Sequence, residues 1–182
     1  MDAAQSAGEV IFSGLSSRRV EMGQSGFTLI ELVLVIVIIA ILSGVASARY
    51  SDLSKQAYRQ SVAATAVAFA AGVNLVQMKY RARGLSGNQA NVTGAPGADI
   101  DVNVFGWPTD TSGVFTVNAA RCQRIWNWLL VGAPTTQTAA AGTASYRVTV
   151  AAPVCTYTYL RDTVVRSIAY NSNSGIVTTT NP

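Results

Sequence analysis

Gly26–Ala48 reads GFTLIELVLVIVIIAILSGVASA, and its interpretation decides the fold. From Phe27 to Ala48 there are 22 residues and one formal charge, Glu31. As a helix this run is about 33 Å long, close to the thickness of a bilayer's hydrocarbon core. An ionised carboxylate at that depth costs on the order of 3 kcal/mol, so Glu31 reads as functional, with a partner to be found.

Outward from this run, the remaining 1–25 segment is polar and small without sustained periodicity, as a leader is. Met22, or a non-standard start at Val20, would shorten it. On the other side the helical pattern continues. Val62, Ala66, Phe69, Val73, Val76 and Tyr80 recur at alternating spacings of four and three, which places them on one face. Gly84 is a carboxyl cap that ends the pattern. Phe27 to Arg83 is thus expected as one rod of 57 residues, roughly 85 Å long, apolar all round in its first half and striped in its second.

At Gly26-Phe27-Thr28-Leu29-Ile30-Glu31 the sequence resembles the class III signal of type IV pilins and the related pseudopilins. The resemblance implies that a prepilin peptidase cuts between Gly26 and Phe27 and that Phe27 becomes the N-methylated first residue. Glu31 then corresponds to the family's acid at the fifth mature position. In a filament, Glu31 of an incoming subunit would meet the Phe27 amine of its neighbour, an attraction that low dielectric strengthens. The implied partners are the peptidase, other pilin subunits, the inner-membrane assembly machinery, and the membrane itself before assembly. The family's usual proline near the end of the span is missing, and Ser43 and Gly44 are the expected site of bending in a filament.

The implied precursor sits in the inner membrane with its amino end inside and its head in the periplasm, and becomes extracellular on assembly. Charge counting alone opposes this orientation: Arg18 and Arg19 precede the run, whereas Arg49, Lys55 and Arg59 follow it. The processing signal and the candidate disulfide outweigh a difference of one residue. A competing signal exists at Ala46-Ser47-Ala48, whose small-x-small pattern would release a secreted binding domain starting at Arg49. The polar Glu31 and the length of the run stand against it.

Composition narrows the function further. The 182 residues carry 13 Lys and Arg against 9 Asp and Glu, and from Phe27 onward 11 against 6. Charged residues are only 12%, so solubility rests on Ser, Thr, Asn and Gln, as suits an exported protein that assembles through its surface. The chain has no histidine, which removes the usual general base, the commonest zinc ligand and the Ser-His and Cys-His pairs. Enzymatic chemistry, a cofactor and a metal are accordingly not expected. Lys79, Arg81 and Arg83 read as a solvated helix end, and nucleic acid is not expected as a partner. A competence-type pilin that binds DNA through its basic surface stays an alternative, testable by salt-dependent affinity.

The fold class expected is α+β: leader 1–26, helix 27–83, and a head 84–182 with an antiparallel sheet. From Gly84 to Gly113 turn formers dominate over a stretch too long for a plain loop. It is expected to wrap the helix, with a short strand around Ile100 to Phe105 and with Trp107 and Pro108 pinning it to the core. Asp99, Asp101 and Asp110 lack calcium-loop spacing and read as solvated. Asn118 would cap a short helix through Val131 with Cys122, Ile125 and Leu129 inward. Alternation then marks strands at Tyr146–Val150, Val154–Leu160, Val164–Tyr170 and Ile176–Thr180.

Cys122 and Cys155, 33 positions apart, most simply form one disulfide in an exported chain, worth about 3 to 4 kcal/mol by loop entropy. A disulfide-bounded segment near the carboxyl end also resembles the pilins. Cys122-Gln123-Arg124-Ile125-Trp126-Asn127 and Gly106-Trp107-Pro108 look most like the mannose-sensitive haemagglutinin (MSHA) pilus group, particularly its minor subunits. A type II secretion pseudopilin shares the leader, Phe27 and Glu31, and calcium dependence of folding separates the two.

Overall fold

The computed structural model describes residues 26–92 and 100–182. It divides into two units, one ending at Gly44 and one comprising Val45–Pro182. Most of the expected leader, and Asp99, lie outside the described residues.

Helix α1 spans Leu29–Ala82. Its start is set by Thr28, whose carbonyl accepts from Leu32 N (3.3 Å). Its end is a Schellman turn: Leu85 N donates to Tyr80 O (3.2 Å) and Gly84 N to Arg81 O (2.9 Å). Gly84 takes φ +64°, which a side chain at that position would resist. Lys79 is half-buried there, while Arg81 and Arg83 are exposed. Ser43 and Gly44 stay helical, with Ser43 Oγ donating to Ile39 O (2.6 Å).

In the second unit the expected stripe is the core. Val62, Ala66, Phe69, Val73, Val76 and Tyr80 are all buried, at most 6% exposed. Helix α2, Ala119–Leu129, packs on this stripe and is capped by Asn118, whose side chain accepts from Arg121 N (2.9 Å). The two helices approach closely at Gly72, where a Cβ would sit 3.1 Å from both Leu129 Cβ and Leu129 O. Phe69 lies between α2 and the sheet, with ring centroids 5.4 Å from Trp126, 5.4 Å from Tyr157 and 5.7 Å from Tyr170. Trp126 stacks on Tyr157 at 4.4 Å. The polar tips of these aromatics are satisfied: Tyr157 donates to Cys122 O (2.8 Å), Tyr170 to Pro108 O (2.8 Å) and Trp126 to Pro134 O (2.9 Å). Burial pushes the Tyr157 and Tyr170 phenols well above their ordinary value, which keeps both as neutral donors.

Two short strands, β1 (Asp101–Val102) and β2 (Pro108–Asp110), form an antiparallel pair in the turn-rich stretch. The main sheet orders as β3-β4-β5-β6-β7, with β3 at Thr136–Gln137, β4 at Tyr146–Ala151, β5 at Val154–Tyr159, β6 at Ser167–Asn171 and β7 at Val177–Thr180. Four strands are antiparallel as expected, and β3 joins β4 in parallel, which makes the sheet mixed. Inward-facing Tyr146, Val148, Tyr157, Ile168 and Tyr170 complete the core. The disulfide Cys122–Cys155 (Cα–Cα 5.8 Å) ties α2 to β5. Trp107 and Pro108 do hold the turn-rich stretch to the head: the Trp107 ring lies against Gly175, and Pro108 O takes the Tyr170 hydroxyl.

Two expectations are corrected. Asp101 and Asp110 are not solvated; both are fully buried. Asp110 is clamped by Arg121 (3.2 Å) and Arg124 (2.7 Å) from one face of α2, and Asp101 accepts from Asn91 N (3.0 Å) and Gly113 N. Charge pairing and backbone donors replace the water each carboxylate gives up. Strand β6 starts at Ser167, not at Val164. Asp162 accepts from Val164 N (3.2 Å) and from Arg166 Nε (2.7 Å), and this local bonding shapes the loop ahead of Arg166, whose carbonyl accepts from Tyr159 N (2.8 Å) as the ladder begins.

Candidate assembly site at the amino end of α1

In the first unit, none of the described side chains is covered. Every described residue from Gly26 to Gly44 is exposed; Phe27 is 79% exposed, Ile30 74% and Leu42 62%. Helix α1 contains a segment long and apolar enough to cross a membrane. An uncovered apolar surface of this size needs lipid or other protein around it. A Cβ added at Gly26 would meet nothing within 4 Å.

Within this surface the polar atoms are arranged as a capping box. Glu31 N donates to Thr28 Oγ1 (3.3 Å), while the Glu31 carboxylate accepts from Thr28 N (3.1 Å) and Thr28 Oγ1 (2.9 Å). The carboxylate thus faces the helix amino terminus, where the backbone dipole favours negative charge. This geometry refines the expectation that Glu31 is costly until a neighbour arrives. In the single chain it already has a partner, so an intermolecular amine must displace or share the Thr28 contacts. The sequence carries this signal as Thr28-x-x-Glu31, a cap pattern ahead of an apolar run.

The remaining site residues lie elsewhere. Cys122 and Cys155 are in the second unit, joined to each other. Among the described residues, no group of three or more His, Cys, Asp or Glu side chains is placed to hold a metal ion.

Comparison with known proteins gives the class first. Residues 22–47 match the family model described as the prokaryotic N-terminal methylation motif. Among individual proteins, the type IV narrow pilus major component PilA5 of Thermus thermophilus is 55% identical over 47 residues, which cover 26% of this chain and 40% of that protein. The match therefore spans well under half of either chain. No solved structure matches significantly. The apolar helix and the motif together fit a membrane-anchored precursor of pilin type.

Proposed function

We propose that the chain is a type IV pilin or pilin-like subunit whose work is polymerisation through α1. Residues 1–26 are its leader, 27–83 its helix and 84–182 its head. A prepilin peptidase cuts between Gly26 and Phe27, and Phe27 is N-methylated. The anchored product waits in the inner membrane, head in the periplasm, until the assembly machinery adds it to a filament of pilin subunits. On addition, the Phe27 amine of one subunit takes over the Glu31 carboxylate of another from Thr28, which sets axial register as well as attraction. The observation that carries this reading is the capped Glu31 inside an otherwise bare apolar helix.

Within that class, the finer proposal is an MSHA-like subunit that serves surface attachment. Its support is the Cys122–Asn127 run, the Gly106–Pro108 tripeptide and the disulfide that ties α2 to β5.

The test is the intact mass and amino-terminal sequence of the native protein. Methylated Phe27 is expected. A chain beginning at Arg49, or one with its leader uncut, overturns the reading.

A further inference from the structure

Arg49, Lys55 and Arg59 lie on the carboxyl side of the apolar run, against the bias that keeps positive charge on the other side of a membrane. Assembly through Phe27 and Glu31 assigns these cations no task. Within the second unit, the β5–β6 loop (160–166) lies beside this part of α1. Arg161 and Thr163 share a groove with Tyr50, Ser54, Lys55 and Tyr58. A second groove, also lined by Lys55, contains Arg59, Val164 and Arg166.

Charge there is unbalanced. Asp162 is taken by Arg166, and Pro182, which also lines the second groove, accepts from Arg59 Nε (3.3 Å) and Arg166. Arg161 donates to Thr143 O. Asp52 is the other carboxylate side chain lining either groove, against Arg49, Lys55, Arg59 and Arg161, whose side chains all stay exposed. Tyr50, which lines the first groove, is 75% exposed, and Leu53 on the same stretch of α1 and Val165 in the loop are exposed as well. Arg49 to Arg59 rises only about 16 Å along the helix from the end of the apolar run. Cations that reach phosphate, with a tyrosine at headgroup level, are the chemistry of a bilayer surface.

We propose that the base of the head, formed by residues 49–59 of α1 and the β5–β6 loop, is a docking surface for an anionic phospholipid bilayer. It holds the head of the unassembled subunit down on the membrane, and it is given up when the subunit joins a filament. The proposal rests on the membrane-anchored reading above, with the head on the carboxyl side of the span.

The test uses the full chain reconstituted in vesicles of phosphatidylcholine alone, or of equal parts phosphatidylcholine and phosphatidylglycerol. Hydrogen exchange is followed at the amides of residues 160–166, with β7 as internal reference. In the anionic vesicles these amides should exchange at least about fivefold more slowly than in the neutral ones. High salt and the double variant Lys55→Gln/Arg161→Gln should each remove the difference, without changing the melting temperature. Equal exchange in the two lipids overturns the proposal, as does protection that survives in the double variant. Protection that grows with protein-to-lipid ratio also overturns it, because a second copy of the chain is then the cover. A chain that floats with neither vesicle removes the membrane span itself, a failure distinguishable from the others.

Discussion

Phe27–Gly44 and Val62–Tyr80 belong to one helix, both are rich in aliphatic residues, and they meet opposite fates. In the first, apolar side chains point in every direction and all remain uncovered. In the second, they recur on one face and are buried there, while Val67 and Met78 on the other face stay exposed. Angular distribution around the helix, more than hydrophobicity itself, separates a segment that needs other molecules from one that completes its own core. The two also differ in how they satisfy polar atoms. The bare segment has one carboxylate held by a hydroxyl and an amide of the same turn. The head buries carboxylates against arginines and tyrosines against carbonyls over long sequence separations. Assembly and head stability should therefore respond to different substitutions.

The largest expected effect on the head comes from Phe69→Ala, which empties the space between Trp126, Tyr157 and Tyr170. It should cost about 3 to 5 kcal/mol, read as a lowered melting temperature of the full chain in detergent. On the proposed reading, cleavage after Gly26 should proceed in that variant as in the unaltered chain. Were cleavage lost as well, the two regions would not be independent.

Next comes Cys155→Ser, or reduction of the disulfide, which should cost about 3 kcal/mol in chemical denaturation through release of a 33-residue separation. An unchanged midpoint would mean that the aromatic packing between α2 and β5 already supplies the constraint.

The smallest effect is a pH dependence at Asp162. Its hydrogen bond from Arg166 holds the carboxyl below the ordinary aspartate value. The folded value is thus lower than the unfolded one, so the pair stabilises the head above the unfolded value, and that contribution is lost as pH falls through the folded one. Thermal melts from neutral pH down should show this acid limb, and Asp162→Asn should flatten it. An identical limb in the variant would assign the acid sensitivity to another carboxylate.

How much of this was legible in the chain depended on the range of the interaction. Periodicity over several turns gave the buried stripe from Val62 to Tyr80, and local capping gave Asn118 and Gly84. Alternation located β4, β5 and β7. Strand β3 was hidden because two residues carry no period, and it exists through the returning chain at Ser145 and Tyr146, whose amides both donate to Thr135 O (3.0 Å). The burial of Asp101 and Asp110 depended on partners from Asn91 to Arg124, too far apart in sequence for spacing to reveal. Nothing local to Gly72 marks it as the place where α2 approaches α1, because the contact is with Leu129, far along the chain. At the candidate assembly site the structure adds the local partner of Glu31, Thr28, which the sequence carries only as a cap spacing.

The most direct test of the central claim is Glu31→Leu in a strain that otherwise assembles this chain. The account predicts that the head keeps its melting temperature, that Phe27 is still exposed by cleavage, and that fibres fail to form. Fibres at normal yield and normal axial spacing would contradict it.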